Sequence, residues 1–236
     1  VYTTIDDPSA HFQVATWTGN TSAPRSITND GNSNLQPDWV WGKNRTTAGT
    51  DHEVYDSNRG TGTSYNLKPS SAVVEGVGTT YGQLTSFDTD GFTVNAGGTN
   101  DDFWNENGSE FVAWQWKAAG GTTSSNTDGN ITTTLQTNST AGFTIGTYTG
   151  AGSSPDNKTI GHGLGAIPDL VFIKGRDGSG LGGAAQYWIV GAPNTEVFGN
   201  GGNKHMFLDT TNALMDNSTI WRSANFTSTT IPLGGH

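Results

Sequence analysis

The chain has 236 residues, with 11 Lys and Arg against 21 Asp and Glu, a formal net charge of −10 and no cysteine. Positive charge this sparse and unclustered argues against nucleic acid as a partner, because phosphate contacts need concentrated Lys and Arg. The missing cysteines remove disulfides and thiolate metal sites together, so stability has to come from packing or assembly.

No apolar run approaches the ~20 residues of a membrane-spanning helix, and no signal-peptide pattern opens the sequence. The 34 glycines, with Ser, Thr and Asn crowding every segment, disfavour helix interiors and favour short strands joined by turns. Eight Trp, six Tyr and ten Phe, set in alternating runs, supply a core and argue against disorder.

In chain order, strands are predicted over Phe12–Thr18, Asp38–Trp41, Glu53–Tyr55, Gly91–Val94 and Glu110–Trp116. Further strands are predicted over Thr144–Thr149, Leu170–Lys174, Tyr187–Val190 and Met206–Leu208. The turns "NDGN" (Asn29–Asn32), "DTDG" (Asp88–Gly91) and "GAGSS" (Gly150–Ser154) punctuate them. In the strand of "SEFVAWQWKA" (Ser109–Ala118), Val112, Trp114 and Trp116 share one face. Trp39 and Trp41 likewise share a face, and some of these four tryptophans are expected to fill the core. The pattern predicts an all-β protein of antiparallel sandwiches, with a jelly-roll or lectin-like topology as equal alternatives.

The same frame is written twice. "PDWVWGKNR" (Pro37–Arg45) and "PDLVFIKGR" (Pro168–Arg176) agree at five of nine positions and lie 131 residues apart. "FQVATWTGN" (Phe12–Asn20) and "FTIGTYTGA" (Phe143–Ala151) share Phe, two Thr and Gly at the same interval of 131. "SIT" (Ser26–Thr28) and "TIG" (Thr159–Gly161) fall between them at nearly the same place, and "YNLKPSSA" (Tyr65–Ala72) faces "MFLDTTNA" (Met206–Ala213) more weakly. Two matches at one offset read as an internal duplication. The expected organisation is one β-sandwich over residues 1–118, a Gly/Ser/Thr-rich linker over 119–130 and a second sandwich over 131–236. Nothing after "FTSTTIPLGGH" (Phe226–His236) answers to Ser109–Ala118, so the second copy is expected to lack its last strand, either because the sequence is a piece of a longer protein or because another chain supplies that strand. That leaves a sheet edge open to association.

"YTTIDDPSAHFQVATWTGN" (Tyr2–Asn20), "LQPDWVWGKNR" (Leu35–Arg45), "VYDSNRG" (Val54–Gly60), "LTSFDTDGFTV" (Leu84–Val94) and "FVAWQWKA" (Phe111–Ala118) together resemble a domain of structural proteins from marine tailed bacteriophages, notably cyanophages. "GHGLGAIPDLVFIKGR" (Gly161–Arg176) resembles it less closely. The resemblance implies a virion component on a tail fibre, an appendage or the capsid surface. Other virion proteins would be its partners. It also implies a homo-oligomer, with trimers common among fibres, although no heptad pattern marks one. It brings no catalytic motif.

Lys43 and Arg45, with Lys174 and Arg176 in the second frame, end the repeated strand. As ligand contacts they would grip a carboxylate; as structural residues they would pair with Asp38, Asp169 or acids on a neighbouring strand. Trp39 and Trp41 could stack on a host-surface sugar or fill the sandwich. Asp51, Glu53 and Asp56 in "DHEVYDSNRG" (Asp51–Gly60) are the carboxylates from which a glycosidase pair would have to come. "DTDG", "NTDGN" (Asn126–Asn130) and the acid cluster "DDFWNENGSE" (Asp101–Glu110) are the places a cation could sit, the first two without the later bidentate acid of a calcium loop. There is no G-x-S-x-G elbow, H-E-x-x-H helix or phosphate loop, and "GHGLGA" (Gly161–Ala166) leads into a strand where a nucleotide fingerprint must open a helix. The expectation is a protein with no cofactor and no enzymatic activity, structural first, glycan-binding as the alternative and glycan-cleaving third.

Overall fold

A computed structural model describes residues 5–76, 80–97, 103–152, 158–178, 186–201, 203–222 and 224–234. The acids Asp101 and Asp102 and the turn residues Ser153 and Ser154 lie outside these. The protein is almost entirely β, and the chain divides into two compact units. The first is 1–69 with 75–122, and the second is 70–74 with 123–236.

The first unit is a sandwich. One sheet holds β1 (Phe12–Thr18), β7 (Glu110–Trp116), β3 (Trp39–Asn44) and β4 (Glu53–Asp56) in that order. The other holds β2 (Arg25–Ile27), β6 (Gly91–Asn95) and β5 (Gln83–Asp88). All pairs are antiparallel, with Phe12 opposite Trp116 and Trp39 opposite the same Trp116. The core residues alternate along the strands. Ala15 and Trp17 of β1, Val40 of β3, Phe111 and Ala113 of β7, Ile27 of β2, Leu84 of β5, and Phe92 and Val94 of β6 form one cluster, closed by Phe103 and Trp104. The β5–β6 hairpin turns at "DTDG". Gly91 has φ +99°, and a Cβ there would lie 2.0 Å from the Ile27 carbonyl oxygen, so only glycine fits.

Among its described residues the second unit has three sheets. These are β10 (Phe143–Tyr148), β9 (Thr133–Asn138) and β8 (Ser124–Asn126); β12 (Val171–Lys174), β13 (Trp188–Gly191), β14 (Lys204–Phe207) and β15 (Met215–Asp216); and the pair β11 (Lys158–Gly161) with β16 (Thr230–Leu233). A one-turn helix α1 (Ser218–Trp221), capped by the Asn217 side chain, delivers Trp221 to a core with Ile160, Val171, Phe226 and Ile231.

Five predicted strands of the first unit and four of the second are present, two of them to the residue and the others with ends shifted by up to three residues. The boundary between the two units falls inside the linker expected over 119–130, and residues on both sides of it are ordered. The first part of that stretch is tied into the first unit, where the Asp38 carboxylate accepts from the backbone N–H of Ala118, Gly120 and Gly121. Its second part is strand β8, paired with β9. Composition gave no sign of this order, because the amides of 118–121 are held by Asp38 about 80 residues away and β8 is too short to show a period.

Candidate functional site

The strand register fixes what the outer face of the first sheet presents. Side chains alternate, so the residues opposite the core on β1, β7 and β3 line up in rows. One row is Phe12, Trp116 and Trp39; the next is Val14, Trp114 and Trp41. The third is Thr16, Val112 and Lys43, and the fourth is Thr18, Glu110 and Arg45. Phe12 is 38% and Val14 42% exposed, and the four tryptophans are half-buried. The Phe12 and Trp116 rings meet at 4.9 Å. The expectation that some of these four tryptophans fill the core is therefore corrected. All four stand on the outer face, and the core is filled instead by Trp17 and Trp104.

At the β3–β4 edge the aromatic face passes into polar groups. Trp41 Nε1 donates to His52 Nδ1 at 2.9 Å, with the rings edge to face. Lys43 Nζ donates to the Thr50 carbonyl at 2.6 Å and to Thr50 Oγ1 at 2.8 Å. Burial holds the Lys43 pKa below its ordinary value, with Asp51 opposing the shift. Beyond Lys43, the loop 47–51 lines a cleft of about 360 Å³ closed by Lys68, Tyr81 and Phe103. Lys68 Nζ pairs with Asp51 at 3.1 Å and sits 4.7 Å from the centre of the Phe103 ring. Phe103 meets Tyr81 edge to face at 5.0 Å.

Glu53 lies beside Asp51 in sequence but points inward and is 1% exposed. Its Oε1 accepts from Asn66 Nδ2 at 2.7 Å and its Oε2 from Trp104 Nε1 at 2.6 Å. Burial pushes its pKa up to about 7 against the pull of those two donors. Asp56 is taken by Arg59 at 2.5 Å, and Arg59 also holds Glu75 at 2.5 Å. The three carboxylates of "DHEVYDSNRG" thus have three separate tasks: the cleft wall, a buried anchor and an ion-pair chain.

The predicted contacts separate in the same way. Trp39, Trp41, Lys43 and Arg45 share the outer face of the first unit. In the second unit Lys174 Nζ donates to the Ala72 carbonyl at 3.4 Å and to the Gln186 carbonyl. Burial lowers its pKa to about 8, with Asp209 opposing. Arg176 is half-buried. Both repeated lysines therefore clasp backbone carbonyls of the chain that leads to the next strand, and neither pairs with the aspartate of its own frame. Asp38 instead caps the 118–121 segment and accepts from Ser57 Oγ at 2.6 Å, and Asp169 Oδ1 accepts from Asn194 Nδ2 at 2.9 Å.

The described carboxylates of the cation readings take hydrogen bonds from neighbouring groups. Asp88 accepts from Ser86 and Thr93, Asp90 from the Leu35 backbone, and Asn126 from the Asp128 backbone. Glu106 gathers Asn44, Thr47 and Ser109. The cleft residues Lys68, Tyr81 and Phe103 were not foreseen, since no local pattern links them to "DHEVYD".

Against known families, residues 7–236 match a domain family of unknown function (DUF7483), and the chain belongs to it. No curated protein matches, and no solved structure does.

Proposed function

We propose that this chain is a non-enzymatic structural component of a phage virion surface, on a tail fibre, an appendage or the capsid exterior. Its aromatic outer face would pack against neighbouring virion proteins, like copies included. The observation that carries the reading is that face: two rows of Trp, Phe and Val, exposed or half-buried, on a sheet whose other side already fills a core. Contiguous apolar surface of this kind marks an interaction site. The sequence resemblance to structural proteins of marine tailed phages supports the location. The carboxylates that a glycosidase would need are committed to anchoring and pairing, which supports a role without catalysis. Mass spectrometry of purified particles, with sedimentation of the isolated chain at micromolar concentration, tests this. The chain is expected in the particles and in a self-associated state that Trp39→Ala with Trp41→Ala weakens. Its absence from particles would sink the reading.

A glycan-binding role has its own support in the cleft, where Tyr81 and Phe103 offer rings and Asp51 and Lys68 offer hydrogen-bonding groups, the combination that holds sugars. Binding on a glycan array that Tyr81→Ala abolishes and Trp39→Ala leaves intact would favour this second reading.

A further inference from the structure

We infer that the second unit repeats the strand plan of the first with one central position left open, and that this position accepts an extended segment from a partner polypeptide with the chemistry of β7. The inference is independent of where the protein resides.

β10 and β12 answer β1 and β3 at the interval of 131, and the other pairings recur in the same chain order at somewhat longer intervals. β3 pairs with β4, and β12 with β13. β2 pairs with β6, and β11 with β16. The core residues follow: Trp17, Ile27, Val40, Phe92 and Val94 in one unit, and Tyr148, Ile160, Val171, Ile231 and Leu233 in the other. In the first unit β7 lies between β1 and β3. Among the described residues of the second, β10 and β12 are each the end strand of their sheet.

Backbone direction places both open edges on the side β7 would fill. An antiparallel strand directs its peptide groups alternately to its two neighbours. In the first unit Gly19 donates to Ser109 and Arg45 to Glu110. Odd positions of β1 and of β3 therefore face β7. At an interval of 131 these become even positions of β10 and β12. Leu208 donates to the Trp188 carbonyl, so even positions of β13 face β14 and odd ones face β12. Opposite them, Val171 and Ile173 face β13, and Phe172 and Lys174 direct their peptide groups the other way. A Cβ on Gly146 would lie 3.1 Å from the Thr134 carbonyl oxygen, so that carbonyl points into the β9–β10 seam toward Thr147. Thr144, Gly146 and Tyr148 direct theirs to the far edge.

The surroundings agree. Asp38 is fully buried under amides of the segment that follows β7; Asp169 at the same place in its frame is exposed. Trp39 is half-buried beside β7, whereas Leu170 is 55% exposed. Ala15 and Trp17 are buried, whereas Gly146 is exposed and Tyr148 half-buried. The occupant is thus an antiparallel strand of about seven residues, apolar at alternate positions and small at its centre, followed by a turn whose amides cap Asp169. Strand addition at an open edge is a general mode of peptide recognition.

The test uses the whole chain and a synthetic peptide of Ser109–Gly121. Without peptide, the amides of Thr144, Gly146, Tyr148, Phe172 and Lys174 exchange with solvent at least tenfold faster than those of Val171 and Ile173. With peptide they become protected, in a saturable one-to-one complex. A shuffled peptide, or one N-methylated at its Val112 and Trp114 positions, whose amides face β3 in the first unit, fails to protect them. Asp169→Asn weakens binding about tenfold and leaves the melting of the free protein unchanged. Equal binding of the shuffled peptide, no binding at all, or protection of those amides in the free protein overturns the inference. Protection that disappears on dilution would assign the place to a second copy, and overturns it as well.

Discussion

Asp38 and Asp169 open the same nine-residue frame, yet one is the most enclosed carboxylate of its unit and the other stands in solvent. Asp38 gathers three backbone amides and the Ser57 hydroxyl. Asp169 has the Asn194 amide group. The residues are identical, so the difference lies in what surrounds them. The capping amides follow β7, and the second unit has no described strand in that place. A second contrast concerns the large core rings. In the first unit a Cβ at Gly42 would meet the Trp104 ring at 2.4 Å, so the bare glycine makes room for the ring. In the second unit Ile173 stands at the matching position, and the glycine that faces a tryptophan is Gly191, 2.9 Å from Trp221 by the same measure. Each unit buries one such ring, but over a different strand.

The sharpest way to break this contrast is to remove the ring. Trp104→Ala is expected to cost about 3–5 kcal/mol, the range for deleting a buried aromatic, and to strip the Glu53 carboxylate of a donor. Urea unfolding followed at probes in each unit separates the outcomes. If the first unit keeps its midpoint, Trp104 is not the keystone of that core.

The two aspartates come next. Asp38→Ala leaves three amides without their acceptor and is expected to destabilise the first unit by about 3 kcal/mol. Asp169→Ala, at an exposed site, is expected to stay within about 0.5 kcal/mol. Equal losses in the two variants would show that the burial difference carries no energetic weight.

Glu53 gives the comparison a pH axis. Its folded-state pKa of about 7 stands above the unfolded value of 4.5. Between these values the folded chain holds a proton that the unfolded chain has released, so stability falls as pH rises across that window. The loss is complete above pH ~7 and amounts to about 3 kcal/mol. Glu53→Gln is expected to flatten the slope of stability between pH 4.5 and 7, while its amide nitrogen meets one of the two donors and lowers the plateau. A wild-type slope surviving in this variant would place the titration elsewhere.

How much of this was legible beforehand follows from the range over which each feature is set. Phe12–Thr18 and Glu110–Trp116 were found to the residue because alternation over seven positions is a local signal. Among the strands not predicted, β2, β8, β11, β15 and β16 are only two to four residues long, too short to show a period. The outer aromatic face was half legible: period two puts Trp39 with Trp41 and Trp114 with Trp116, but which face meets the core depends on the opposing sheet. The cleft was not legible at all, since Lys68, Tyr81 and Phe103 reach Asp51 only through the fold. The repeated lysines were read either as ligand contacts or as partners of acids, and the carbonyls they hold sit largely in the chain leading to the next strand, where no pairing rule points.

The smallest effect tests the glycine that the sequence flagged as a departure between the two frames. Gly42→Ala adds one methyl against the face of a fully buried ring held on its other edge by Glu53. Trp104 cannot swing aside without breaking that hydrogen bond, so the strain stays in the core and is expected to cost about 2 kcal/mol, within the overpacking range. The reciprocal change, Ile173→Ala, trims a half-buried side chain and is expected to cost about 1 kcal/mol, below the range for a fully buried isoleucine. Calorimetry of both variants decides the point: a silent Gly42→Ala would mean that Trp104 has freedom to move, and that the ring rather than the strand is the adjustable part of the first core.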